Sequence, residues 1–214
     1  MKQNLIVTIG RQYGSGGRDI GMKLAKKLGV PYYDKELIGL VASKNDLSID
    51  VLKQIDEVGP SRFAYTPLYP RISFATGLHS IYNMPITDRV FVEQLNVIRE
   101  LAEKSSCVIV GRCADYVLRE NPNCINVFIH ADMAFRAARK KDLEKEIKEK
   151  TIEDYIRKID KSRAKYYNFY TTKKWGESTS YHISLSSSAI GIDAAADLLY
   201  DFVKIKEKYN NVSE

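Results

Sequence analysis

Short apolar, β-branched runs alternate with longer stretches of helical periodicity along the chain. Leu5-Ile6-Val7-Thr8-Ile9, Cys107-Val108-Ile109-Val110, Ile125-Asn126-Val127-Phe128-Ile129 and Tyr181-His182-Ile183-Ser184-Leu185 read as buried strands, with Tyr32-Tyr33 a shorter one. After the first strand, Ile20, Leu24 and Leu28 recur every fourth residue beside the small Gly21 and Ala25. That spacing predicts a helix packed closely on its neighbours, with Gly29 as its C-cap. Asp34 and Ser48 each open a further predicted helix. A long amphipathic one follows Thr87 and Asp88, with Val90, Phe91, Leu95, Ile98 and Leu101 on its apolar face. Later helices are predicted over Ala114 to Leu118, Asp132 to about Lys150, Thr151 to about Tyr170, and Ile190 to Lys208. Strands alternating with helices predict an α/β fold, a three-layer parallel sheet flanked by helices.

The turn between the first strand and the first helix carries the chemistry. Gly10-Arg11-Gln12-Tyr13-Gly14-Ser15-Gly16-Gly17-Arg18-Asp19 is glycine-rich, so the backbone can curl until several N–H groups point inward, and the helix aims its positive N-terminus at the same point. Strand, glycine-rich turn and helix in that order predict a seat for a polyphosphate. The usual pattern ends in a lysine and a hydroxyl. With Gly16 as its second glycine, Gly17 stands at the lysine and Arg18 follows. Arg18 is then the candidate replacement cation, and Asp19 a candidate magnesium ligand. The competing reading is a glycine-rich turn of any doubly wound domain.

Size and composition narrow the classes. A chain of 214 residues with 44% hydrophobic and 28% charged residues makes one globular core. The net charge of +6 suits an anionic ligand or a solvated lysine-rich surface, and no nucleic-acid-binding signature accompanies it. Cys107, Cys113 and Cys124 lack metal spacing and read as buried free thiols. His79, His130 and His182 are scattered, which argues against a histidine metal site or dyad. Without a signal-peptide pattern or an apolar run of roughly 18 residues, a cytoplasmic protein is expected. The proline- and aromatic-rich stretch from Gly59 to Pro85 reads as a lobe or an oligomer contact.

Four stretches in order resemble the nucleoside monophosphate kinases, above all the cytidylate kinase-like branch. They are Gly14 to Asp19, Tyr33-Asp34-Lys35-Glu36-Leu37, Val110-Gly111-Arg112-Cys113-Ala114-Asp115, and Phe128-Ile129-His130-Ala131 leading to Arg136-Ala137-Ala138-Arg139. Arg157, Asp160 and Arg163 resemble the family's lid arginines with an aspartate between them. The resemblance implies a P-loop-type single domain with its core at 1–33, 105–131 and 180–210, an acceptor-site region at about 34–104 and a lid at about 132–170. It implies a phosphotransferase that uses ATP and Mg2+, with an acceptor of the CMP or dCMP type. Gly14, Ser15, Gly16, Gly17, Arg18 and Asp19 would hold the donor phosphates and metal; Asp34, Gly111 and Arg112 would bind the acceptor; Arg18, Arg136, Arg139, Arg157 and Arg163 would serve catalysis. Cys113 departs from the family at a place where an acidic residue follows the arginine. The expected partners are small-molecule nucleotides, without nucleic acid or membrane, in a monomer or homodimer. Each assignment has a structural competitor: Asp34 as a helix cap, Arg136 and Arg139 on a solvated lysine-rich face, Arg157 to Arg163 in surface pairing. A non-catalytic nucleotide sensor and a kinase with a non-nucleotide acceptor remain as alternatives.

Overall fold

The computed structural model describes residues 4–34, 86–143 and 145–210. The helices expected from Asp34 and Ser48, and the stretch from Gly59 to Pro85, lie outside the described residues. Five parallel strands, β1 (Ile6–Arg11), β2 (Tyr32–Tyr33), β3 (Cys107–Val110), β4 (Cys124–His130) and β5 (Ile183–Ser186), form one sheet in the order β2-β3-β1-β4-β5. The central strand β1 pairs Ile9 with Val110 on one side and with Val127 on the other. Its exit leads to β2 at one edge, whereas β4 leads to β5 at the opposite edge. Connections that diverge in this way open a crevice at the carboxyl ends of the strands.

Both faces of the sheet are covered, so the strands read as nearly continuous apolar runs. One face presents Val7, Ile9, Val108, Val110, Ile125, Val127 and Ile129 to the helices α1 (Gly17–Leu28) and, near the C-terminus, Ile192–Asn210. On α1 the predicted stripe is buried at Ile20 and Leu24 and partly buried at Leu28, and the small neighbour Ala25 is buried with it. Gly21 lets α1 approach closely, since a Cβ there would sit 3.1 Å from Val110 and 3.2 Å from Ile9. The other face presents Ile6, Cys107, Ile109 and Cys124 to α2 (Ile86–Lys104), α3 (Ala114–Val117) and the end of a long helix over Ile152–Tyr170. There Phe91 of α2 is 1% exposed and stacks on Tyr170 with ring centroids 3.8 Å apart.

The charged helix expected from Asp132 to Lys150 is shorter. Helix α4 covers Met133–Ala138, and a 3-10 turn follows at Lys141–Leu143. Every residue from Lys140 to Lys150 except Leu143 and Ile147 is charged. Helices in proteins draw most of their stability from burying an apolar face, and two partly buried residues supply little of one. Leu143 and Ile147 instead close a small cluster around Ala137, Ile152 and Ile156, which also takes in Tyr13 from the turn after β1. Helix α5 (Ile152–Tyr170) starts where Thr151 caps the Asp154 amide at 3.1 Å. The last predicted helix, Ile190 to Lys208, is α7 (Ile192–Asn210), and a short α6 (Ser187–Ile190) precedes it, the two separated by Gly191 with φ +83°. Among the described residues no helix is long and apolar enough to cross a membrane.

The three cysteines are free and buried, and burial pushes the Cys107 and Cys124 thiols up to about 12. None should react with a disulfide reagent in the native protein at about pH 8, and all should react once it is unfolded; fast titration of the native thiols would contradict this packing. Replacing Phe91 by Ala is expected to cost about 3–5 kcal/mol in denaturant unfolding, and a loss below about 1 kcal/mol would show that the α2–α5 stack carries little.

Candidate active site

The sharp turn after β1 depends on two glycines in left-handed conformation, Gly14 at φ +79° and Gly16 at φ +78°. Neither position has room for a side chain: a Cβ at Gly14 would lie 2.9 Å from the Arg136 carbonyl, and one at Gly16 would lie 2.7 Å from Ile192. The first helical hydrogen bond of α1 runs from Ile20 N to Gly16 O at 2.9 Å. The amides of Gly17, Arg18 and Asp19 therefore head the helix with no acceptor one turn earlier, the arrangement that favours an anion. The loop's oxygens are turned elsewhere. The Ser187 hydroxyl, fully buried, donates to the Ser15 carbonyl at 2.6 Å, and the Ser15 hydroxyl donates to the Gln12 carbonyl at 2.9 Å.

Residues from α4 and α5 hold this loop by its backbone. Tyr13 N donates to Asp160 Oδ1 at 2.7 Å, and the other Asp160 oxygen pairs with Arg136 Nη1. The same Arg136 nitrogen lies 3.5 Å from the Tyr13 carbonyl, and Arg163 Nη1 donates to the Arg11 carbonyl at 3.1 Å. Arg139 Nη2 pairs with Asp19 on the first turn of α1. The Tyr13 ring meets Tyr155 edge-on at 5.7 Å and lies 5.4 Å from the Arg163 guanidinium. Both members of the Arg136–Asp160 pair are largely buried, at 8% and 15% side-chain exposure, so losing one would leave a costly uncompensated charge. Arg136, Arg139 and Arg163 thus converge on the loop. Arg157 does not: it is exposed and 3.5 Å from Asp154 one turn earlier.

Beside the loop lies a cleft of about 590 Å³ between the ends of β1 and β3 and the face of α5. Arg11, Arg112, Lys158 and Arg163 bring positive charge to it, and aromatic rings such as Tyr166 and Trp175 form much of the wall. Burial, with the adjacent Arg11 cation, pulls the Arg163 guanidinium down to about 9. Burial likewise lowers Arg11, against the opposing pull of Asp34. Crowded, desolvated guanidiniums that stay charged are an electrostatic cost that a bound anion relieves. The buried Asp34 accepts a hydrogen bond from Arg11 Nη2 at 3.2 Å and forms an ion pair with Arg18, whose Nε lies 3.3 Å from its other oxygen.

The floor of the cleft is strained. Gly111, Arg112 and Cys113 follow β3 with φ of +81°, +59° and +54°. Left-handed backbone at two non-glycine residues costs about 1 kcal/mol or more each and persists only where the surroundings enforce it. Tight packing enforces it at Gly111, where a Cβ would fall 2.1 Å from Arg11 Nη1. Two residues beyond Cys113, the buried Asp115 accepts the Tyr167 hydroxyl at 2.6 Å, and burial raises its carboxyl.

The structure therefore brings Gly14 to Asp19, Asp34, Gly111 and Arg112 to one edge of the sheet. Three residues gain roles that sequence reasoning did not assign. Arg11 reaches the centre of the site, Asp160 ties the loop down, and Ser187 fixes the Ser15 carbonyl. A signal for Arg11 was present: an arginine at the strand end followed by a glycine where the lysine belongs. For Ser187, 172 residues from Ser15, only the fold brings the two together.

No protein with a curated function matches the chain. Among solved structures, an uncharacterized protein from Eubacterium ventriosum ATCC 27560 is 34% identical, with 94% of this chain and 99% of that chain covered at a TM-score of 0.70. Shikimate kinase from Bacteroides thetaiotaomicron (14% identity, 94% and 98% covered, TM-score 0.52) and shikimate kinase from Acinetobacter baumannii (15%, 96% and 96%, TM-score 0.50) share the fold, that of P-loop kinases. The model of the cytidylate kinase-like family matches residues 6–189, from β1 into α6, and the chain belongs to that family of nucleotide-binding, kinase-type phosphotransferases.

Proposed function

We propose that the protein moves the γ-phosphate of ATP to a nucleoside monophosphate of the CMP or dCMP type. The observation that carries the reading is the loop of amides at Gly14 to Asp19 opening beside a cationic, aromatic-walled cleft at the same sheet edge. The amides suit the donor phosphates. Arg112 and Arg163 suit the acceptor's phosphate, and the rings suit a planar base. In transfer, the bond from the γ-phosphorus to the ADP oxygen breaks as one to an acceptor phosphate oxygen forms, and ADP leaves with the electron pair. Little covalent help is needed from the protein, which aligns the partners and places positive charge around the transferring oxygens.

Magnesium fits the loop through Asp19, half-exposed at the head of α1. That ion usually takes only one or two carboxylates beside phosphate oxygens, in keeping with the absence of a larger ligand cluster among the described residues. When bound it would neutralise charge on the donor phosphates. Arg139, paired with Asp19, would then turn towards those phosphates.

One observation favours a second reading, a kinase for a non-nucleotide acceptor bearing a carboxylate or phosphate. Asp34, the expected acceptor ligand, has guanidinium partners at both oxygens, so the acceptor's own anion would dominate recognition. A coupled assay with ATP, magnesium and a panel of CMP, dCMP, UMP, AMP and phosphorylated or carboxylated alcohols separates the two. CMP or dCMP should give the highest kcat/KM. Turnover confined to a non-nucleotide acceptor would transfer the protein to the second reading, and saturable ATP binding with no turnover would favour a sensor.

The loop clamp makes a separate prediction. Asp160→Ala should lower stability by about 3–5 kcal/mol and reduce kcat/KM for ATP although Asp160 does not line the cleft. Unchanged kinetics in a destabilised variant would show that the clamp supports the fold alone.

A further inference from the structure

The glycine at position 17 and the arginine at position 11 occupy one space. A Cβ built on Gly17 would lie 2.6 Å from Arg11 Cβ and 3.1 Å from Arg11 Cγ. A lysine at 17 is therefore excluded while Arg11 keeps its course. From there the Arg11 side chain runs across the mouth of the loop to the ends of β2 and β3. Its Nη2 reaches Asp34 at 3.2 Å, and its Nη1 lies over Gly111, which any side chain would block. Its carbonyl is fixed by Arg163 at 3.1 Å. The guanidinium thus lines the cleft at the junction of the amide loop and the acceptor side, held at one nitrogen by a carboxylate. Arg18, the cation suggested by sequence order, is half-exposed at 49% and engages Asp34 from the rim.

We infer that Arg11 is the phosphate-binding cation of this site, supplying from the end of β1 the charge that the loop lacks at position 17, with Gly17 and Gly111 kept small to admit it. This rests on the reading of the loop as a triphosphate seat and names the group that completes it. Asp34 aims the planar fork, and a guanidinium offers two parallel donors to phosphate oxygens where an ammonium offers a point charge. Asp34 keeps Arg18 as a partner when Arg11 is removed, so the substitution does not orphan a buried carboxylate.

The test is a charge transplant read by calorimetric titration with Mg·ATP. Glycine rather than alanine is needed at position 11, because the Arg11 Cβ is itself what a side chain at 17 would meet. Arg11→Gly should weaken Mg·ATP binding about ten- to a hundredfold. Arg11→Gly combined with Gly17→Lys should recover most of that loss, since the lysine then has room. Gly17→Lys alone should weaken binding, because the stem of Arg11 obstructs it. Arg11→Lys, which keeps stem and charge, should lose less than about tenfold, and thermal unfolding of each variant separates folding from binding. Binding of Mg·ATP by Arg11→Gly within about twofold of wild type overturns the inference while leaving the kinase reading in place. An equal loss in Arg11→Gly and in the double variant, both folded, overturns it as well. A wild-type protein that holds no Mg·ATP overturns both.

Discussion

A bend that exposes several backbone amides at one point is costly to hold still, and the architecture around β1 is directed at holding it. Asp160 accepts the Tyr13 amide and pairs with Arg136, Arg163 donates to the Arg11 carbonyl, and Ser187 donates to the Ser15 carbonyl. These contacts come from α4, α5 and α6, elements separated from the loop by more than a hundred residues. Each acts on a backbone group of Arg11, Tyr13 or Ser15, so these contacts hold the loop without engaging the amides of Gly17, Arg18 and Asp19 at the head of α1. That is the preorganisation that electrostatic catalysis requires.

The same arrangement explains an unusual distribution of charge. Arginines crowd the site, and the carboxylates Asp19, Asp34 and Asp160 each answer one or two of them. Arg136 and Arg163 act on the loop backbone, so their first effect is on geometry. Arg11 and Arg112 line the cleft, the latter on strained left-handed backbone next to Gly111, which packs against the Arg11 guanidinium. Strain next to a charged cleft is the usual mark of a site where precise placement outweighs local stability.

Much of the fold was legible because its strands are short apolar runs between turn signals. Ile6 to Ile9, Val108 to Val110 and Ile125 to Ile129 are unmistakable at period and composition, and Gly29 and Thr151 mark helix ends where the structure has them. The charged stretch after Ala138 misled, because regular charge spacing resembles a helix whether or not an apolar face exists to pack it. In the site, the glycines of the loop announced themselves through turn chemistry, and the Gly111-Arg112 pair through its resemblance to a family motif at a strand end. Asp160 and Ser187 could not, since their partners are backbone atoms brought near by the sheet. Sequence order alone makes Arg18 the replacement for the lysine missing at position 17, whereas the close approach of Arg11 gives that glycine a steric cause.

The central claim is that one bend, clamped from behind, cups the terminal phosphates of a nucleotide against Arg11. A crystal structure of the protein with magnesium and a non-hydrolysable ATP analogue tests this most directly. The account predicts the analogue's β- and γ-phosphates on the amides of Gly14 to Asp19, with a terminal oxygen within hydrogen-bonding distance of the Arg11 guanidinium. Density for the triphosphate elsewhere on the molecule, or on the loop but turned away from Arg11, would contradict it.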